Sequence, residues 1–228
     1  MTLCHRHILF KWVGEKLRTA CTGRYNRWQE QSIPQRRDGH PVTAPRTAAI
    51  ARARQILADR PLYLDTETTG LDARAEIVEI ALVAYDGALL LESLVKPTRR
   101  IPWDATRVHH ISNEMVAGAP TWAELWPQVQ ALLSGRRVGI YNAEFDLRMM
   151  AQSHTAHRVI DTAAGSNAFC IMKLYAEFFG ERGSYGNYKW QSLDKAARQC
   201  GISLPNSHRA GADARLARAV LEFMAGTD

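Results

Sequence analysis

The sequence predicts an α/β fold in which a mixed five-stranded sheet is flanked by helices. Three observations lead to it. "EIVEIALVAYDGALLLESLVKP" reads as two strands joined by Asp86-Gly87, a dipeptide suited to a tight hairpin turn. Beyond residue 136, short apolar runs alternate with helical patterns, as parallel strand connections require. The 228 residues, 46% hydrophobic and 23% charged, suffice for one sizeable core.

The elements follow in order. Ile8, Leu9, Trp12, Val13 and Leu17 recur near helical spacing and suggest a short amphipathic helix. Thr22 to Pro45 is polar and proline-containing, and reads as a linker. "RTAAIARARQILADR" reads as a helix with Ile50, Ala53, Ile56 and Leu57 on one face, stopped by Pro61. Leu62 to Asp65 is a short strand, followed by the two hairpin strands, the second stopped by Pro97. "TWAELWPQVQALL" is a helix that turns Trp122, Leu125, Val129 and Leu132 or Leu133 inward. "RRVGIYN" is a fourth strand, and "AEFDLRMMAQSH" is a helix with Asn142 as its N-cap. "RVIDT" is expected to be the fifth strand, with helices at about 168–179, 191–200 and 210–225. No internal repeat is visible.

The net charge of +6 is unevenly placed. Residues 1–60 hold 12 Lys/Arg against 4 Asp/Glu, so the remainder is slightly acidic. A basic N-terminal extension, residues 1–45, is therefore expected, either as a polyanion-binding arm or as a solvated leader. Cys4, Cys21, Cys170 and Cys200 form no CxxC pair and read as free thiols of a cytoplasmic protein. Cys4, His5, His7 and Cys21 match no zinc spacing. No apolar run approaches the ~18 residues of a membrane span.

Three short stretches carry the chemistry. In "PLYLDTETTG", Asp65 and Glu67 stand two apart on a strand and point to one face. Two adjacent carboxylates repel unless a proton or a cation lies between them, and a hard divalent metal suits them. Taken alone, an Asp-x-Glu is far more often a solvated strand end than a metal site. Thr68 and Thr69 offer hydroxyls and backbone donors to a phosphate or sugar, and Gly70 permits a sharp turn into Leu71. In "YNAEFDLRMM", Asp146 falls about one turn into a helix, beside Phe145. In "SHRAGADARLARAVLEFM", Asp213 opens an amphipathic stretch, with His208 five positions earlier. On one helix those two would diverge by about 140°, so His208 belongs on the preceding loop.

Together these stretches resemble the DEDDh family of 3′→5′ exonucleases, of the ribonuclease-H-like superfamily. That family includes the proofreading subunit of the bacterial replicative polymerase and ribonuclease T. "DTETTG" is similar to its first motif, "YNAEFD" to its second and "HRAGADA" to its third. The resemblance covers about residues 61–225. "RVHHISNEMVAGAP" is similar to the connecting segment, with His110 where His-Gly-Ile is usual.

The resemblance implies an exonuclease domain over residues 46–228 and two Mg2+ ions, with Mn2+ substituting. Asp65 would bridge both ions, Glu67 and Asp213 would complete the site of the attacking water, and Asp146 would support the second ion. His208 would take the proton from the water, a role suited to a side chain that titrates near ~6.5. Thr68, Thr69, Leu71 and Phe145 would contact the terminal nucleotide. The implied product is a nucleoside 5′-monophosphate released from single-stranded nucleic acid, with DNA weakly favoured. The alternatives are an RNA-trimming exoribonuclease and a non-catalytic nucleic-acid-binding module. The extension is also a candidate for docking a protein partner.

Overall fold

The computed structural model describes residues 43–160, 167–183, 186–203 and 207–227. The expectations for the basic extension, its short helix and most of the linker lie outside these residues. In chain order the elements are α1 (Ala44–Ala58), β1 (Leu62–Thr68), β2 (Ile77–Val83), β3 (Leu89–Leu94), α2 (Trp103–His109), α3 (Asn113–Val116) and α4 (Trp122–Leu133). They continue with β4 (Val138–Ile140), α5 (Ala143–His157), β5 (Ala168–Cys170), α6 (Ile171–Phe179), α7 (Leu193–Gln199) and α8 (Ala210–Gly226). The sheet order is β3-β2-β1-β4-β5. β1–β2 and β2–β3 are antiparallel, whereas β1–β4 and β4–β5 are parallel.

The hairpin forms where the dipeptide places it. The Asp86 carboxylate accepts from the Ala88 N–H at 3.0 Å, and Gly87 takes φ +87°, which side-chain-bearing residues rarely adopt. Strand alternation then divides the core between the two faces of the sheet. Tyr63 and Val83 pack with α1, α6 and α8. Leu62, Leu64, Ile80 and Leu82 pack with α4 and α5. All of β2 is buried, because both faces are covered. Gly139 in β4 is required by close approach: a Cβ there would lie 2.7 Å from the Phe169 ring and 3.2 Å from Tyr63.

Two expectations are corrected. "RVIDT" is not the fifth strand over its described residues. Arg158 is left-handed and caps α5, the Val159 N–H donates to the His154 carbonyl, and Ile160 is 98% exposed. The apolar pair is therefore spent on ending a helix. The fifth strand is Ala168–Cys170, which pairs with β4, so the helix expected from residue 168 begins at Ile171. The structure also adds α2 and α3, which are too short to show a period. The Asn113 side chain bonds both the N–H and the C=O of Ile101 and fastens this segment over a small core of Val78, Ile101, Ile111 and Val116. Among the described residues no helix is long and apolar enough to cross a membrane.

Candidate active site

β1 and β4 run parallel, so both end at one edge of the sheet, and α5 starts there directly after β4. The alternation that buries Tyr63 against α8 carries Asp65 and Glu67 to the same face. Thr66 faces the other way and donates its hydroxyl to the Asp146 carboxylate at 2.8 Å, which fixes the first turn of α5 against β1. α8 supplies Asp213 from its own first turn. His208 precedes that helix, exposed, with φ +48°, on a loop as expected.

These groups meet. One ligand atom from each of Glu67, His208 and Asp213 lies within 4.8 Å of the others. Asp65, Asp146, His208 and Asp213 line a cavity of about 570 Å³ with Tyr141, Asn142, Phe145 and Ser192 to Asp194. The volume suits a nucleotide-sized ligand. Asn142 does stand at the N-cap of α5 and lines the cavity, yet its side chain makes no capping bond.

Burial and mutual repulsion disfavour ionisation here. Burial, then the charges of Asp146, Asp213 and Glu67, hold the Asp65 carboxyl well above the usual range. Burial and the neighbouring acids push Glu67 to about 8. Burial raises Asp146 to about 7 against the opposing hydrogen bond from Thr66. Asp213 is raised to about 6 by burial, with His208 pulling it down. The Asp213 Oδ1 atom is buried and has no hydrogen-bond donor. Four crowded carboxylates, one with an orphaned oxygen, and an imidazole beside them form a donor set that fits hard divalent cations.

A fifth acid holds the arrangement in place. Glu79 on β2 is buried and stands opposite Glu67 in the antiparallel register. Its carboxylate accepts from Arg209 Nε at 3.0 Å, from Arg209 Nη2, and from the Ala210 N–H at 2.9 Å. That clamp fixes the start of α8, with His208 on one side and Asp213 on the other. The sequence reading missed Glu79 and Arg209, although a lone acid inside "IVEIALV" was a legible oddity.

The expected substrate contacts divide. Phe145 lines the cavity. The Thr68 hydroxyl donates to the Gly70 carbonyl at 2.7 Å, and the Thr69 hydroxyl accepts from the Glu76 N–H at 3.0 Å, so both hydroxyls brace the loop. Leu71 projects into solvent, 78% exposed. Buried His109 accepts the Ile111 N–H at Nδ1, so its Nε2 donates to the Thr68 carbonyl at 3.2 Å and ties α2 to that loop. His110, where a glycine is usual, is left-handed with φ +61°, the conformation a glycine takes without strain.

The comparisons with known proteins point to one family. The RNase_T family, described as Exonuclease, matches residues 62–221. The chain is 40% identical to the uncharacterized exonuclease CP81 of Escherichia phage 186, over 76% of this chain and 92% of that protein. It is 31% identical to the DNA polymerase III subunit epsilon of Treponema pallidum, over 67% of this chain and 70% of that one. Among solved structures, Exonuclease X in complex with 5′ overhanging duplex DNA superposes with a TM-score of 0.53 at 25% identity. That match covers 72% of this chain and 90% of the other.

Proposed function

The chain belongs to the DEDDh-type 3′→5′ exonuclease family, with its ribonuclease-H-like sheet, and on that premise we propose that it is a metal-dependent 3′→5′ exonuclease. It releases nucleoside 5′-monophosphates from single-stranded nucleic acid. The observation that carries this reading is the convergence of Asp65, Asp146, Asp213 and His208 from three distant stretches on one nucleotide-sized cavity, with Glu67 beside His208 and Asp213. A non-catalytic module has no need to crowd four acids whose ionisation the fold opposes.

Asp65, Glu67, Asp146 and Asp213 would hold the divalent cations, magnesium or manganese. When bound, such a pair neutralises phosphodiester charge and acidifies the attacking water. The residues of the chain do the rest. Each carboxylate gives up the proton that burial favours. His208, on its exposed left-handed turn, accepts the proton of the attacking water. Phe145 and Tyr141 wall the cavity, and the Tyr141 hydroxyl is held by the Gln191 carbonyl at 2.9 Å. Glu79 and Arg209 are positioning residues that keep His208 and Asp213 in register. Thr68, Thr69 and Leu71 remain candidate contacts to the terminal nucleotide, through backbone groups and the apolar side chain.

The duplex DNA in the Exonuclease X complex and the DNA polymerase relative support DNA over RNA as substrate. The polymerase relative also supports a protein partner, with the basic residues 1–45 as the segment that docks it or gathers nucleic acid. The test uses 5′-labelled single-stranded DNA and RNA of one sequence, with magnesium or with chelator. Stepwise shortening from the 3′ end that needs metal and is lost in Asp65→Ala is expected. Binding without shortening under every condition would leave only the binding-module reading.

A further inference from the structure

We propose that Trp190, with Lys173 beside it, is a stacking platform for the unpaired nucleotide immediately upstream of the one held in the cavity. The inference rests on the exonuclease reading and names how the same site engages the rest of the strand.

Trp190 is 57% exposed, a large apolar surface left in water two residues before the wall of the acid-lined cavity. It is not a loose surface residue. The next residue, Gln191, is buried; its carbonyl accepts the hydroxyl of cavity-lining Tyr141, and its side-chain amide donates to Glu181 at 3.0 Å. Ser192, Leu193 and Asp194 line the cavity. At ~3.8 Å between successive Cα atoms, the Trp190 backbone is within about 8 Å of that wall. Across the rim, the Lys173 ammonium lies 5.9 Å from the Trp190 ring centroid and pairs with Glu144, the neighbour of cavity-lining Phe145. Phe145 carries its own cation, Arg148, at 5.4 Å.

The chemistry of this rim selects its occupant. An exposed indole offers a face to any unpaired base, and a cation beside it offsets the adjoining phosphate. Arg182, set 4.2 Å from the Tyr188 ring, and Lys189 and Lys195 extend the positive charge along the same segment; Glu181 opposes the two lysines. The five cations Lys173, Arg182, Lys189, Lys195 and Arg198 outnumber the acids Glu144, Glu181 and Asp194, which suits a polyanion. Inside a duplex both faces of a base are taken up by stacking on its neighbours, so the platform favours a single strand.

The test compares wild type, Trp190→Ala and Trp190→Phe on a single-stranded DNA 10-mer and on the p-nitrophenyl ester of thymidine 5′-monophosphate, which has no upstream nucleotide. For Trp190→Ala, KM on the 10-mer should rise about 5- to 100-fold, the range one base–aromatic stack supplies. Its kcat, its KM on the nitrophenyl ester and its melting temperature should stay unchanged. Trp190→Phe should restore most of the loss. An unchanged KM on the 10-mer, or an equal loss on the ester, would overturn the platform while leaving the exonuclease reading intact. A wild-type protein that cleaves neither substrate would remove both. If the alanine variant melts early, Trp190→Leu, apolar but without a ring to stack, takes its place: a KM unchanged on the 10-mer, or raised equally on the ester, overturns the proposal.

Discussion

Asp65 is a carboxylate that its surroundings disfavour. Burial and four neighbouring acids oppose its charge, so the folded chain gives up stability to place it. Replacing Asp65 with Asn should therefore raise the melting temperature in chelator. A gain of about 1 kcal/mol would appear as roughly 2–4 °C in a domain of this size. The same variant should release no nucleotide. A melting temperature that falls instead would mean that Asp65 is better satisfied than its neighbours indicate. His208 acts differently, since it is exposed and contributes little packing. Its replacement by Ala should lower kcat about 10²- to 10⁴-fold, the range for loss of a general base, with little effect on melting. Single-turnover measurements at saturating magnesium check this directly. At this scale most of the site was legible: each acid and the imidazole stood in a short stretch whose spacing indicated its orientation. Glu79 escaped because its partner, Arg209, is 130 residues away in the chain.

Among the elements, β1 and the start of α8 carry the site. β1 supplies two acids to one face and Thr66 to the other, so a single strand braces both layers. α8 is pinned at its first residues by the Glu79 carboxylate. Glu79→Ala would leave the Ala210 N–H and the Arg209 guanidinium without that acceptor. The expected cost is about 2 kcal/mol in chemical denaturation, because hydrogen bonds to charged groups are among the stronger ones and Arg209 keeps access to water. A loss confined to kcat with KM unchanged would mark a shift of His208 and Asp213; a loss confined to KM would argue against the positioning role. Elements with a long period or an unambiguous turn were readable from the sequence. β5 was not, because three residues on a sheet edge show no period, and Val159-Ile160 offered a more strand-like run that in fact closes α5.

For the whole molecule, the acid cluster links stability to pH and metal. Glu67 moves from 4.5 to about 8 on folding, Asp146 from 3.8 to about 7, and Asp213 from 3.8 to about 6. Each raised value means that the folded chain binds more protons than the unfolded chain between the two limits, so stability falls as pH rises through that window. In chelator the melting temperature should therefore drop between about pH 5 and pH 8. Saturating magnesium should offset the drop, with a larger gain at pH 8 than at pH 5; a concentration of 100 Kd corresponds to about 2.7 kcal/mol. Equal gains at both pH values would detach the acids from metal binding. The basic extension belongs to this scale too. Removal of residues 1–45 should flatten the dependence of nucleic-acid affinity on salt if its Lys and Arg neutralise phosphates. An unchanged slope in binding titrations would assign that segment to another partner.

The sequence by itself determined the mixed sheet and the hairpin, and its three motifs carried the resemblance that pointed to the family and to the five candidate site groups. The sheet and the hairpin follow from local rules: the two-residue period of a strand and the left-handed preference of a turn glycine. Tertiary structure alone decided that the fifth strand is Ala168–Cys170, that Glu79 clamps α8, and that exposed Trp190 stands beside Lys173. Each of these depends on which distant segment lies alongside. Register and packing across the sheet fix that, and no local spacing encodes it.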